Sequence, residues 1–277
     1  MSDLVGTQGR RAAPRLRGFA RGFDFGTMAS LVVFVLVFGG WELAARYHLM
    51  PAFVLPAPSD VALRVVADLL SPATQQDCLY TLAEIIAGFA GALVLGIGLG
   101  AAIALVPLID RVLSPYIVAL QTIPKVAIAP ILIIWFGFGI ESKIVIVALI
   151  DFFPILVNAV AGFRGIDPRQ IVLMKALDAT SWQIFTKIRL PNAMPFLMAG
   201  VYISMIFSVI GAVVGEFLGS ARGLGSQIMQ RQAQMDVIGV FSVLVILTVI
   251  GIALNLVAKF AGRRLAFWSE TENSTGL

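Results

Sequence analysis

Long apolar stretches constrain the fold of this 277-residue chain more than any other feature. A helix needs about 20 mostly apolar residues to cross the hydrocarbon core of a bilayer. Apolar residues make up 59% of the chain and charged residues only 13%, which leaves too little polar surface for a soluble domain. The sequence therefore predicts an all-α membrane helix bundle. Six stretches are long enough to span, at residues 28–45, 85–107, 113–137, 144–163, 195–215 and 237–258.

The positions of lysine and arginine predict the orientation of the bundle. Cytoplasmic loops of membrane proteins carry an excess of both residues. Most of the 20 lie before the first span, between the fourth and fifth spans, or after the sixth. Both termini are therefore predicted to be cytoplasmic, and we attribute the net charge of +4 to this asymmetry rather than to nucleic-acid binding. The predicted parts are a basic, disordered tail (1–26), a six-span domain (27–262) and a second tail (263–277).

Cysteine and histidine are too rare for redox or transition-metal chemistry. Cys78 is the single cysteine of the chain, so it cannot form an internal disulfide. His48 is the single histidine, and its place after the first span is typical of an interfacial residue rather than a metal ligand. We expect no metal, cofactor or catalytic residue.

Four small residues recur at every fourth position of the second span. This spacing places Gly88, Ala92, Gly96 and Gly100 on one helix face. Small residues let helices approach closely in lipid, where the hydrophobic effect does not drive association. The stripe predicts close packing, either against another helix of the same chain or against a second copy.

The loop at 164–192 is predicted to form two short helices. Asp167 and Thr180 are N-cap residues, with Pro168 at the first helical position after Asp167. Asp178 provides the turn between the helices, and Pro191 is expected to end the second. The first helix is apolar almost all round, so something must cover it. It either packs under the bundle or docks into a groove on a soluble partner.

Short motifs along residues 50–260 occur in a recognisable order. They read L-P-A-P-S-D-V at 55–61, I-P-K at 123–125, I-W-F-G at 134–137, F-F-P at 152–154, S-W-Q-I-F at 181–185, G-E-F-L-G at 215–219 and G-L-G at 223–225. This order resembles bacterial ABC importer permeases, in particular the branch that imports nitrate, sulfonates and taurine. In that family an inner loop has the pattern Glu-Ala-Ala, Gly, Ile and Leu-Pro. Counting back from Leu190 and Pro191 places Ile188 at the isoleucine, Asp178 at the glycine and 172–174 at Glu-Ala-Ala.

The resemblance implies a non-catalytic permease, working as a homodimer in the bacterial inner membrane. A separate ATPase would bind the coupling element 168–189. A periplasmic or lipid-anchored solute-binding protein would deliver a small solute. The chain has no Gly-x-x-x-x-Gly-Lys-Ser/Thr phosphate loop, so ATP would be hydrolysed by the partner. The residues expected to couple to the ATPase are Val172, Leu173, Met174, Ala176, Leu177, Asp178, Trp182, Ile188, Leu190 and Pro191.

Two charged residues lie at membrane depth, Lys125 in the third span and Asp151 in the fourth. A charge there costs a few kcal/mol unless it faces protein, water or a partner. Pro124 and Pro154 predict a break or kink close to each of them. We expect the two charges to flank the translocation path or to lock a gate by pairing. A purely structural ion pair, or a lysine that reaches the interface, is the alternative.

Glu216 is predicted at the outer end of the fifth span and is grouped with the translocation path. The glycine-rich segment 220–236 that follows is too polar to cross lipid, which predicts an outer re-entrant or interfacial turn. That turn is either structural or a contact for the solute-binding protein.

Two other classes of protein remain as alternatives. A secondary transporter could use Lys125 and Asp151 for ion coupling, although no internal repeat is evident. A membrane-embedded enzyme is disfavoured because clustered acids, histidines and cysteines are missing.

Overall fold

Helices form nearly all of the computed structural model, which describes residues 25–267 except 48, 50, 52 and 53. No strand occurs in the described part of the chain, which confirms the all-α prediction. His48 and most of both predicted tails lie outside the described residues. In chain order the helices are α1 (Phe25–Arg46), α2 (Pro58–Leu70), α3 (Pro72–Leu105), α4 (Pro107–Thr122), a 3₁₀ turn (Lys125–Ile128), α5 (Ala129–Phe136), α6 (Ile140–Arg164), α7 (Pro168–Ala176), α8 (Ser181–Ile184), a π-helical turn (Phe185–Arg189), α9 (Leu190–Phe217), α10 (Leu224–Ala233) and α11 (Val237–Leu265).

The predicted spans correspond to five long helices and one bent pair within the described residues. The five are α1, α3, α6, α9 and α11, and the third predicted span is divided between α4 and α5, which meet at 86°. The break falls at Pro124, as predicted, because proline disfavours helical backbone in the residue before it. Several boundaries differ from the prediction, and α9, for example, begins at Leu190 rather than 195. The α3 helix begins at Pro72 rather than 85, and α11 runs to Leu265, past the expected domain end at 262.

The small-residue stripe of α3 packs against α6 of the same chain. An added Cβ atom would lie 2.5 Å from Val147 Cβ at Gly88, 2.8 Å from Ile155 Cγ2 at Gly96 and 2.5 Å from Ala159 Cβ at Gly100. Ala92 on the same face is fully buried. The contact partners advance together along both helices, so α3 and α6 run parallel. The stripe therefore serves packing within the chain, and a dimer seam is not what covers it.

A second row of small residues lies on α9, where the sequence analysis did not single it out. An added Cβ at Gly200 would lie 3.3 Å from Ile155 Cα, at Gly211 3.2 Å from Val147 Cα, and at Gly215 3.0 Å from Lys143 Cγ. The residue numbers of the α6 partners fall as the residue numbers along α9 rise, so α9 runs antiparallel to α6. The α6 helix is thus held at van der Waals distance by α3 and by α9, which gives the bundle a close-packed core.

Helix α2 ties the loosely attached α1 to the rest of the bundle. At one end the amide and hydroxyl groups of Ser59 on α2 donate to the Glu42 carboxylate on α1 at 3.0 and 2.8 Å. On α2, buried Asp68 accepts two hydrogen bonds from Arg231 of α10 and one from Ser242 of α11. Burial opposes ionisation of Asp68, but the hydrogen bonds from Arg231 and Ser242 outweigh it and hold the pKa of this carboxyl group below its usual value.

The helix that begins at Ser181 continues without a loop to Phe217. The expectation that Pro191 ends the second loop helix is therefore wrong. Proline cannot donate a backbone hydrogen bond, and the wider π-helical turn that immediately precedes α9 accommodates it. Asn192 Nδ2 donates to Ile188 O at 2.9 Å, so the side chain supplies a bond near the missing one.

Candidate functional site

The turn after α7 explains why Asp178 can occupy the position of the family's glycine. Asp178 has φ 55°, a left-handed conformation that glycine adopts most readily and aspartate tolerates. The amide of Ala179 donates to Met174 O at 3.0 Å, and that of Asp178 donates to Lys175 O at 3.1 Å. These two bonds form a Schellman motif, which satisfies the last carbonyl groups of α7. The helix therefore ends without help from the bundle.

The beginnings of α7 and α8 are also stabilised locally, as predicted. Asp167 accepts a hydrogen bond from the amide of Arg169 at 2.9 Å. Thr180 and Gln183 form a reciprocal capping box, with bonds of 2.8 and 3.3 Å. Each cap uses residues within three positions of the helix start. The two helices thus fold as a self-contained element at one end of the bundle, which we call the α7 end.

Large apolar side chains of this element face away from the bundle. Val172 is 65% exposed, Leu173 61%, Leu177 69% and Trp182 71%. Asp178 and Ala176 are exposed as well, whereas Met174, Ile188, Leu190 and Pro191 are half-buried towards the bundle. The predicted coupling residues therefore separate into an outward face and a base.

Stacked aromatic rings connect the outward face to the bundle. Trp182 stacks on Phe185 with a centroid distance of 5.8 Å and an interplanar angle of 22°. Phe185 stacks in the same way on Phe163, near the end of α6. Since Phe163 is buried, the three rings form a continuous contact from the outward face to the core helix.

Lys125 lies at the break between α4 and α5. Its ammonium group donates to Gln121 O at 3.1 Å and lies 4.8 Å from the centroid of the Phe153 ring. Gln121 is in the last turn of α4, where a positive charge is favourable next to the helix carbonyl groups. The positive charge of Lys125 therefore stabilises the carboxyl end of α4 instead of pairing with Asp151.

Asp151 is fully buried between α6 and α9. Its Oδ2 atom accepts a hydrogen bond from Ser208 Oγ at 2.5 Å, and Ser204 Oγ donates to its backbone carbonyl at 3.1 Å. Within the described residues Asp151 Oδ1 has no hydrogen-bond partner. Of the break or kink predicted near Pro154, a break is absent, since α6 continues from Ile140 to Arg164.

Glu216 caps the N-terminus of α10 from the end of α9. Its Oε1 atom accepts from Thr81 Oγ1 at 2.6 Å, and its Oε2 atom accepts from the amide of Gly225. The amides of Leu224 and Gly223 donate at 2.9 Å to Thr81 Oγ1 and Asp77 Oδ1, respectively. Carboxylates are favourable at this end of a helix because of its unpaired amide groups and its dipole. Glu216 thus holds the segment that was predicted as an outer turn, and α10 marks the second end of the bundle, the α10 end.

Four residues of this cluster were missed by sequence reasoning, namely Asp77, Thr81, Glu84 and Lys143. The first three lie on one face of α3 at helical spacing, and this pattern of polar residues directly before an apolar span was the available signal. Lys143 is 1% exposed and donates to the carbonyl groups of Phe138 and Gly139. Glu84 is equally buried, and its Oε2 atom has no hydrogen-bond partner among the described residues.

Two curated relatives cover most of the chain. It is 36% identical over 259 residues to the riboflavin transport system permease protein of Chloroflexus aurantiacus, covering 93% of this chain and 96% of the relative. It is 29% identical over 248 residues to a putative aliphatic sulfonates transport permease protein of Bacillus subtilis, covering 88% of each. The two relatives differ in what their names say they transport.

The fold resembles that of a solved importer. The inward-facing MetNI methionine ABC transporter matches with a TM-score of 0.59 and 22% identity over 68% of this chain and 93% of that chain. Residues 92–267 match the family of binding-protein-dependent transport system inner membrane components. This range includes the self-capped α7–α8 element, the break at Pro124 and the Glu216 cap. The chain therefore belongs to that family and is an ABC importer permease component.

Proposed function

We propose that this chain forms the translocation path of an ATP-driven importer for a small solute. It works as a homodimer with two ATPase subunits at the α7 end and a solute-binding protein at the α10 end. Closure of the ATPases moves the two copies of the α7–α8 element together, which rotates the spans and alternates access to a central path. The chain itself carries out no covalent step, and both of its termini are cytoplasmic.

The exposed apolar face of α7 carries this proposal. Val172, Leu173 and Leu177 are large and apolar, yet they lie on a polar loop between two spans. Such a face matches the helix-in-groove mode of recognition, in which a few apolar side chains anchor a helix in a partner. The caps at both helix ends support this role, because they keep the element folded without covering it.

Co-purification with the ATPase subunit of the same transport system tests the contact. We expect Val172→Gln combined with Leu173→Gln to reduce the amount of bound ATPase about tenfold or more, since apolar anchors dominate such interfaces. The matched control is Leu63→Gln combined with Leu70→Gln on α2, two leucines that are 73% and 74% exposed at the α10 end. It should bind ATPase normally. Equal binding by both double variants would contradict the proposal.

The translocation path is proposed to pass the break between α4 and α5. Lys125 is the charged residue at this break, and its partners are a backbone carbonyl and an aromatic ring rather than a carboxylate. Lys125→Gln is expected to lower the rate of substrate transport, while binding of the ATPase subunit stays normal. Exchanging the two charges, Lys125→Asp with Asp151→Lys, should not restore transport, because the residues do not pair. Restoration would show that they pair during the transport cycle.

The substrate is proposed to be a small solute, either a sulfonate, nitrate or taurine-like anion or a vitamin precursor, and two relatives are named for aliphatic sulfonates and riboflavin. A ligand screen on the cognate solute-binding protein identifies it, with riboflavin and an aliphatic sulfonate as the first two probes. An isolated chain that transports solute into liposomes without ATP would favour the secondary-transporter alternative and contradict the importer.

A further inference from the structure

A positively charged cavity lies at the α7 end, on the side of α7 that faces the bundle. It has a volume of about 290 Å³ and is bounded by the end of α3, by α7 and by the α8 turn. Lys175 and Arg189 are its charged lining residues, and Leu105, Ile171, Ile184 and Phe185 form apolar walls. The cavity thus combines two cations with apolar surface.

The two cations have no counter-ion within the part of the chain that the structure describes. Within the described residues, neither the Lys175 nor the Arg189 side chain forms a hydrogen bond or an ion pair, whereas Arg164 nearby in the sequence pairs with Asp110. Leu105 is the last residue of α3, and Arg189 directly precedes α9. The cavity therefore lies at the level where the spanning helices end, which is the headgroup region of the bilayer.

An entirely apolar groove is the second observation, and its lining includes the residue that directly follows Arg189. The groove has a volume of about 380 Å³ between α3, α9 and α11, and Leu190, which follows Arg189, is among its lining residues. Met194, Met198 and Met205 line it along α9. Methionine side chains adapt to irregular apolar partners. A charged cavity lined by Arg189 and an apolar groove lined by Leu190 together match the chemistry of a lipid, with its phosphate at the interface and an acyl chain along the helices.

We propose that one anionic phospholipid of the leaflet at the α7 end binds here, with its phosphate between Lys175 and Arg189 and an acyl chain in the apolar groove. Basic pockets between membrane helices are suited to such headgroups. Ile171 and Lys175 face the cavity from one side of α7, whereas Val172 and Leu173 are exposed on another side. Lipid and ATPase therefore occupy different faces of the same helix, and the lipid site does not depend on the proposed function.

Lipid binding to the purified full-length chain in mild detergent tests the site. Native mass spectrometry compares phosphatidylglycerol with phosphatidylcholine of identical acyl chains. We expect tighter binding of phosphatidylglycerol and a loss of this preference at high ionic strength, because salt screens the charges. Lys175→Gln with Arg189→Gln should weaken phosphatidylglycerol binding about twenty-fivefold, since each cation contributes about a factor of five.

The control is Lys187→Gln with Lys259→Gln, which removes the same charge from positions that do not line the cavity. It should change binding less than about twofold, and unchanged thermal unfolding in phosphatidylcholine should show that both double variants are folded. Ala261→Phe, which fills the groove, should weaken both lipids. Equal binding of the two lipids, or undiminished phosphatidylglycerol binding by the Lys175 and Arg189 variant, overturns the proposal. If inorganic phosphate displaced phosphatidylglycerol completely, the cavity would be a site for a free anion, and the lipid proposal would be overturned.

Discussion

The two ends of the bundle each carry a short helix, but these helices are stabilised in opposite ways. The α7 helix is capped by its own neighbours in sequence, Asp167 and Asp178, and it exposes large apolar side chains. The α10 helix is capped by Thr81 and Glu216 from two other helices, and its first residue, Leu224, is completely buried. A helix with local caps can present a free face to a partner, whereas one capped by its neighbours is fixed to the bundle.

The largest effect is expected where the α10 end is capped. Glu216→Leu should reduce the free energy of unfolding by about 3–5 kcal/mol, because it leaves the Thr81 hydroxyl and the Gly225 amide buried without an acceptor. Thermal unfolding in detergent measures this. Glu141→Gln is the control, since Glu141 is exposed near the same end. A loss below about 1 kcal/mol for Glu216→Leu would mean that α10 is not fixed by this cap.

The core that joins the two ends is expected to be less sensitive. Gly96→Ala should cost about 1–3 kcal/mol, because its Cβ would lie 2.8 Å from Ile155 Cγ2. Gly98→Ala on the same helix has no heavy atom within 4 Å of the added Cβ, so it should be neutral or stabilise the helix by about 0.5–1 kcal/mol. Unfolding by heat separates the two variants. If they behave alike, α3 and α6 do not pack closely.

At the α7 end, a substitution of Asp178 should strain the turn that follows α7. Asp178→Val is expected to destabilise it by about 1–2 kcal/mol, because a β-branched residue is unfavourable at positive φ. Asp178→Gly should leave it unchanged or more stable. Amide hydrogen exchange of residues 168–189 reports the effect locally. Faster exchange in the glycine variant than in the valine variant would rule out the left-handed turn.

The smallest effect is a pH dependence at the α10 end. The folded pKa of Asp68 is lowered, so its contribution to stability is present above its unfolded pKa of about 3.9 and is lost as pH falls through the folded value. Thermal stability should therefore decline more steeply below about pH 4 in the wild-type chain than in Asp68→Asn. If the thermal stability of both proteins declined equally with falling pH, the acid sensitivity would come from other carboxyl groups.

Features that depend on neighbouring residues could be predicted from the sequence. The caps at Asp167 and Thr180 involve partners within three positions, and the break at Pro124 follows from the covalent structure of proline. Pro154 shows where this reasoning fails. It also lacks a backbone donor, but α6 is packed closely against α3 and α9, and this tertiary packing keeps the helix continuous.

Features that depend on distant residues were not predicted. Thr81 and Glu216 are separated by 135 positions, and no local pattern indicates that they meet. Pairing of Lys125 with Asp151, one of the roles considered for these two charges, is not seen among the described contacts for a related reason. Membrane depth alone indicates that a charge needs a partner, but Lys125 bonds to a helix-end carbonyl and Asp151 to a serine. The sequence position of each charge therefore did not identify its partner.

The uninterrupted helix from Ser181 to Phe217 has a mechanical consequence. Its 37 residues extend about 55 Å at 1.5 Å per residue, which is long enough to cross a membrane. Trp182 lies at one tip and Glu216 at the other, so a tilt of about 5° imposed at the first would displace the second by about 5 Å. No flexible loop separates the two residues, so the π-helical turn is the place where this helix can bend.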